Sequence, residues 1–114
     1  MLAAISSTAG AGRASGVSLI LPPDHDLVQV KGSIMAPTLL PGAWVLVDRG
    51  TRQVIGEGVY LVHDGVAEAC RRISPGSACG VWAVYSDNTS YSRREDPASR
   101  IDVRGRVVGV FREV

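Results

Sequence analysis

The chain has 114 residues, enough for one domain and too few for two. Its 46% apolar and 20% charged content belongs to a folded domain and excludes a disordered tail. A net charge of +1 excludes a strong electrostatic footprint for nucleic acid.

Six aromatic residues leave the core to aliphatics, chiefly 16 valines, and 13 Gly with 6 Pro favour short strands and turns over helices. Residues 1–16 are small and polar, and they predict a flexible arm ahead of one domain over residues 17–114. Residues 17–21 form a short apolar run stopped by Pro22 and Pro23, which predicts an edge strand or a packed arm. Residues 26–31 (DLVQVK) alternate as a strand does. Pro37 and Pro41 break up the next segment, which has room for one helical turn over residues 36–40. Residues 43–48 (AWVLVD) are the clearest strand in the chain.

Residues 59–63 and 66–73 predict a hairpin, with Asp64-Gly65 as its two-residue turn. A second turn at residues 74–77 (SPGS) precedes a strand over residues 78–85. A four-residue loop there sets Cys70 opposite Val81 and Arg72 opposite Cys79. The two cysteines are then diagonal neighbours and are expected as two buried free thiols. Residues 86–99 are polar and without period, a surface loop. Residues 100–111 close the chain as one bent strand or two short ones, with Gly105 at a natural bulge position. The expected fold is mainly β: a small folded or barrel-like sheet of short strands.

Two cysteines and the isolated His25 and His63 lack ligand spacing, so no metal site is expected. No apolar stretch approaches the roughly 20 residues of a membrane span, and the first residues lack the basic start of a signal peptide. The expected context is cytoplasmic and reducing, with no membrane partner. Trp44 and Trp82 lie in strands and suit either the core or a dimer face.

Residues 30–48, VKGSIMAPTLLPGAWVLVD, resemble the signature of the LexA and phage-repressor serine peptidases (S24) and their signal-peptidase relatives. That signature runs roughly V-x-G-D-S-M-x-P-T-L-x-x-G-D-x-V-L-V-D. Gly32, Met35, Pro37, Thr38, Leu39, Gly42, Val45, Val47 and Asp48 fall in register with it. Residues 58–73 resemble the family hairpin that ends V-K-R-[LI]. Ser86, Asp87, Asn88 and Tyr91 match its S-D-N-x-x-Y loop, and residues 103–111 its closing strand. The resemblance implies a LexA-like β fold, a cytoplasmic location, a tendency to dimerise, and Ser/Lys self-cleavage without a cofactor.

At the two reacting positions this chain departs from the family. Ile34 stands where the resemblance puts the nucleophilic serine, and Arg71 where it puts the lysine base. Isoleucine has no nucleophilic atom, and a guanidinium stays protonated below a pKa of about 12. A displaced pair, Ser33 with the sole lysine Lys31, is the alternative. The family cleaves an Ala-Gly or Cys-Gly bond upstream; Ala9-Gly10 and Ala11-Gly12 are the pairs of that kind here, and a flexible lead-in is the other reading of them.

Three functions follow. The first is the regulatory and dimerisation C-terminal domain of a phage-type or LexA-like transcriptional repressor that does not cut itself. It would form a homodimer through the strand containing Val110 and Phe111, and touch DNA only through a helix-turn-helix absent from these residues. The second is an active self-cleaving peptidase using the displaced residues. The third is an interaction module whose cleft holds a peptide from a partner such as an antirepressor, with Arg71 anchoring a carbonyl or carboxylate instead of pairing with Glu68 or Asp48.

Overall fold

Short β-branched runs cut by Gly, Pro and Asp become short strands, seen in a computed structural model that describes residues 11–14 and 17–111. β1 (Ala11–Ala14) and β2 (Val17–Ile20) form a two-stranded antiparallel ribbon. One antiparallel sheet holds β3 (His25–Gln29), β4 (Trp44–Asp48), β5 (Gly58–His63), β6 (Glu68–Pro75), β7 (Val81–Tyr85), β8 (Arg94–Pro97) and β9 (Val103–Phe111). Its order is β3-β4-β9-β5-β6-β7-β8. The mainly β fold expected from the sequence is the fold observed. Of the cleavage-like pairs, Ala11 and Gly12 lie in β1, inside the segment read as an arm, whereas Ala9 and Gly10 fall outside the described residues. No helix among the described residues is long and apolar enough to cross a membrane.

Strand alternation divides the apolar residues between two faces, and each face has its own core. On one, Val45 and Val47 of β4, Leu61 of β5 and Cys70 of β6 close around Met35 and Leu39, which sit in the turn after β3. Met35 is wholly buried, so this turn is the lid of a core rather than a loose connection. On the other, Tyr60, Val62, Ile73, Val84 and Val103 pack together with Ile101. Trp44 is buried with Leu21 and Leu27, and Trp82 packs half-buried beside the Tyr60 cluster. Both tryptophans are thus packing residues.

Several registers differ from the sequence reading. The first hairpin turns over four residues, 64–67, because His63 pairs with Glu68. Asp64 Oδ1 accepts the N–H groups of Val66 and Ala67, which holds the wider loop closed. The slip is two residues, so every side chain keeps its face. At the second turn β6 runs on through Pro75, and Cys79 lies in the loop beyond it. Ile73 pairs with Val84, not Ala78. Gly76 permits this, since a Cβ there would sit 2.7 Å from the Val81 carbonyl oxygen. Cys70 is accordingly buried and Cys79 exposed, where two buried thiols were expected.

The polar stretch over residues 86–99 is not all loop. Residues 94–97 pair with β7 as edge strand β8, and a 3-10 turn follows at Ala98–Arg100. Strand β9 joins two ladders end to end, pairing with β5 through residues 103–106 and with β4 through 106–111, so that only Arg106 is paired on both sides. Register shifts fall beside Arg104 and Val108, and Gly105 lies next to the first. From residue 107 to 111 no described strand pairs on the side away from β4.

Candidate functional site

The turn between β3 and β4 carries the motif residues, and backbone hydrogen bonds shape it. The Ala36 N–H donates to the Ser33 carbonyl, and the Leu39 N–H donates to that of Met35, so the segment is a pair of hydrogen-bonded turns over residues 33–39 where one helical turn over 36–40 was expected. Gly32 and Gly42, at the two ends of the turn, hold φ of +76° and +89°, a backbone region that favours glycine. Pro37 is exposed, and Asp48 bonds the N–H of Gly50 and the hydroxyl of Thr51 at the end of β4.

The loop after β7 clamps this turn in place. The Asn88 side-chain amide donates to the Ser33 carbonyl at 2.9 Å, and its backbone N–H donates to the Ile34 carbonyl at 3.2 Å. Asp87 accepts the Thr38 hydroxyl, and it takes Arg72 Nε and Nη2 in a two-pronged pair at 2.7 and 2.8 Å. Asp87 therefore joins the motif turn to β6. Its carboxyl is held below the usual range, first by Arg72 and then by the Thr38 hydroxyl, against the opposing effect of burial.

Replacing Asp87 by asparagine leaves the Arg72 cation without its partner in a half-buried place. A loss of about 1.5 kcal/mol of stability is expected, the low end for charged hydrogen bonds because Arg72 is partly solvated. A lowered folded-state pKa contributes stability above the ordinary value of 3.8 and loses it as pH falls toward the lowered one. The difference between wild type and Asp87→Asn in urea unfolding should therefore be full at pH 7 and shrink on acidification below pH 3.8.

Arg71 and Arg72 are neighbours on an extended strand and point to opposite faces. Arg71 and Ile34 line one pocket of about 130 Å³, with Val84 and the buried Ser86. Tyr91, Ser92 and Arg94 complete its rim. The structure thus brings the two family-aligned positions together. Arg71 Nη1 donates to the Cys70 carbonyl at 3.1 Å, and no described carboxylate lies within ion-pairing distance of it.

The two acids considered for Arg71 are engaged elsewhere. Glu68 takes Arg49, which also binds the buried Asp26 at 3.0 Å, and Asp48 serves its own turn. Burial lowers the pKa of Arg71 and the neighbouring charge of Arg94 adds to this, with Asp64 pulling the other way. Lys31 and Ser33, the displaced alternative, are exposed and line no part of this pocket. An aliphatic side chain and a permanent cation can hold a ligand, but they supply no nucleophile and no base.

Tyr91 is the tyrosine of the S-D-N-x-x-Y match, whereas sequence reasoning missed Arg72, Ser92 and Arg94 as site residues. Arg72 was visible only as the arginine of the V-K-R-[LI] match, and Arg94 only within the polar stretch over residues 86–99. The Ser86-Asp87-Asn88 match to the family loop was the one sequence signal pointing to this side of the site.

A seven-stranded antiparallel sheet, a motif turn lidding its core and a pocket joining that turn to the β5–β6 hairpin define a LexA-like β domain. Residues 9–108 match the model of the Peptidase S24-like family, and the chain belongs to that family. It is also 30% identical over 96 residues to the LexA repressor of Acidiphilium cryptum (strain JF-5), a match covering 83% of this chain. The matched stretch spans 41% of that repressor's length.

Proposed function

We propose that this chain is the regulatory and dimerisation domain of a LexA-like, phage-type transcriptional repressor, and that it does not cleave itself. The observation that carries the reading is the meeting of Ile34 and Arg71 in one pocket, at the positions the family gives to its nucleophile and base. Without a hydroxyl at the first place and an ionisable amine at the second, the family's attacking group and its proton acceptor are both missing from the positions that carry them. The similarity to a LexA repressor supports the repressor role. Operator binding in this reading belongs to a helix-turn-helix segment beyond these residues, and the protein works in the cytoplasm. Dimerisation through the end of β9 would set two such segments on a symmetric site.

Self-cleavage by a lysine base is promoted at alkaline pH, which deprotonates the amine. Prolonged incubation at about pH 10, near the reference lysine pKa, should leave the intact mass unchanged. A product cut after Ala9 or Ala11 overturns the non-cleaving reading and favours Ser33 with Lys31.

A further inference from the structure

The Arg71 pocket is a cationic recess rather than a closed scar. Two guanidinium groups line it, three hydroxyl groups from Ser86, Ser92 and Tyr91 surround them, and Ile34 and Val84 supply an apolar wall. No carboxylate among the described residues lines it. Arg94 gives its Nε to Asp96 at 2.6 Å, whereas among the described residues the Arg71 fork donates only to the Cys70 carbonyl. Asp64 attracts this half-buried guanidinium from outside the pocket without forming an ion pair, and a bound anion inside it would offset both the burial and the Arg94 repulsion.

We propose that this pocket binds the free C-terminal carboxylate of an extended peptide, with Arg71 as the anchor and the last side chain on Ile34 and Val84. The proposal rests on the non-cleaving reading of the same site. A planar carboxylate matches the two-pronged donor geometry of arginine, and the small volume suits one carboxylate with a short aliphatic group. Strand geometry favours a peptide as the source. Arg94 opens β8, which pairs only with β7 and is the last strand of the sheet, so its outer edge is free to add a strand ending at the pocket. Arg71 thereby takes a binding role at the place where the family has a base.

The test titrates the full chain, labelled with ¹⁵N, with a pentapeptide ending in Ala-Val in three arms. These are the free acid, the C-terminal amide, and isovalerate as a small acid without a peptide backbone. The free acid should shift the signals of residues around Ile34, Arg71 and Arg94, and the amide should bind about tenfold or more weakly. Arg71→Gln should lose the same factor. Arg94→Gln, on an exposed edge where folding is not at stake, should weaken binding by a smaller factor and reduce its salt dependence.

Equal binding of acid and amide, or no shifts with either, overturns the proposal. Isovalerate binding as tightly as the peptide overturns the peptide source and assigns the pocket to free acids. The mass of the chain, followed in the same samples, reports separately on the non-cleaving reading.

Discussion

Replacing Gly105 by alanine is expected to lower stability by about 3 kcal/mol, the upper part of the range for overpacking a core. Gly105 is buried in β9 where the sheet turns, and an added Cβ would collide with the Val47 side chain. The Asp48 carbonyl oxygen stands 3.1 Å away on the same side. Val47 is itself wholly buried beside Val45 and Leu61, so it has nowhere to retreat, and the strand backbone cannot yield without disturbing the β5–β9 ladder, where Gly105 pairs with Leu61. The thermal midpoint should fall by roughly 10–20 °C.

Gly109, four residues along the same strand, provides the control. A Cβ there meets Leu46 at 3.6 Å, an ordinary contact, so Gly109→Ala should be neutral or stabilising by up to about 1 kcal/mol. Equal midpoints for the two variants would count against close approach as the reason for Gly105.

The contrast between these glycines marks how far the sequence was legible. Residues 43–48 and 59–63 announce themselves because their apolar residues meet a buried sheet on both faces, and both strands stand where the pattern put them. Residues 74–77 misled because Pro75 and Gly76 are ordinary turn signals. Here Pro75 ends a strand and Gly76 makes room for the Val81 carbonyl, which only the partner strand reveals. β8 was invisible for a different reason. Its residues, REDP, are polar on either side of an edge strand, so no period of two survives in hydrophobicity.

The site divides in the same way. Ile34 and Arg71 are 37 positions apart, and nothing in composition or spacing links them; the family resemblance alone predicted that they meet. Arg72 and Asp87 form their pair across the β6–β7 hairpin, and a register six residues off hid it. Asp26, read as an unremarked start of an alternating strand, is buried against Arg49 because the sheet places β3 beside β4.

The homodimer expected of this domain should part into monomers on Phe111→Asp. Among the described residues β9 is paired on both sides only at Arg106; residues 107–111 pair with β4 alone, and on that stretch three apolar side chains stand in solvent. Val108, Val110 and Phe111 are 53%, 40% and 41% exposed, a grouping that a two-fold partner would cover. Edge pairing would satisfy the open backbone groups while these side chains leave water. An aspartate at the centre of such a contact must be desolvated twice, once in each copy, without a cation to meet it. The expected weakening is on the order of a hundredfold or more, enough to convert a dimer at micromolar concentration to monomer in sedimentation. Val66→Asp, on the 64–67 turn and 90% exposed, should leave the sedimentation unchanged. A wild-type chain that stays monomeric at high concentration rules this interface out, because no later mutation could then be said to break it.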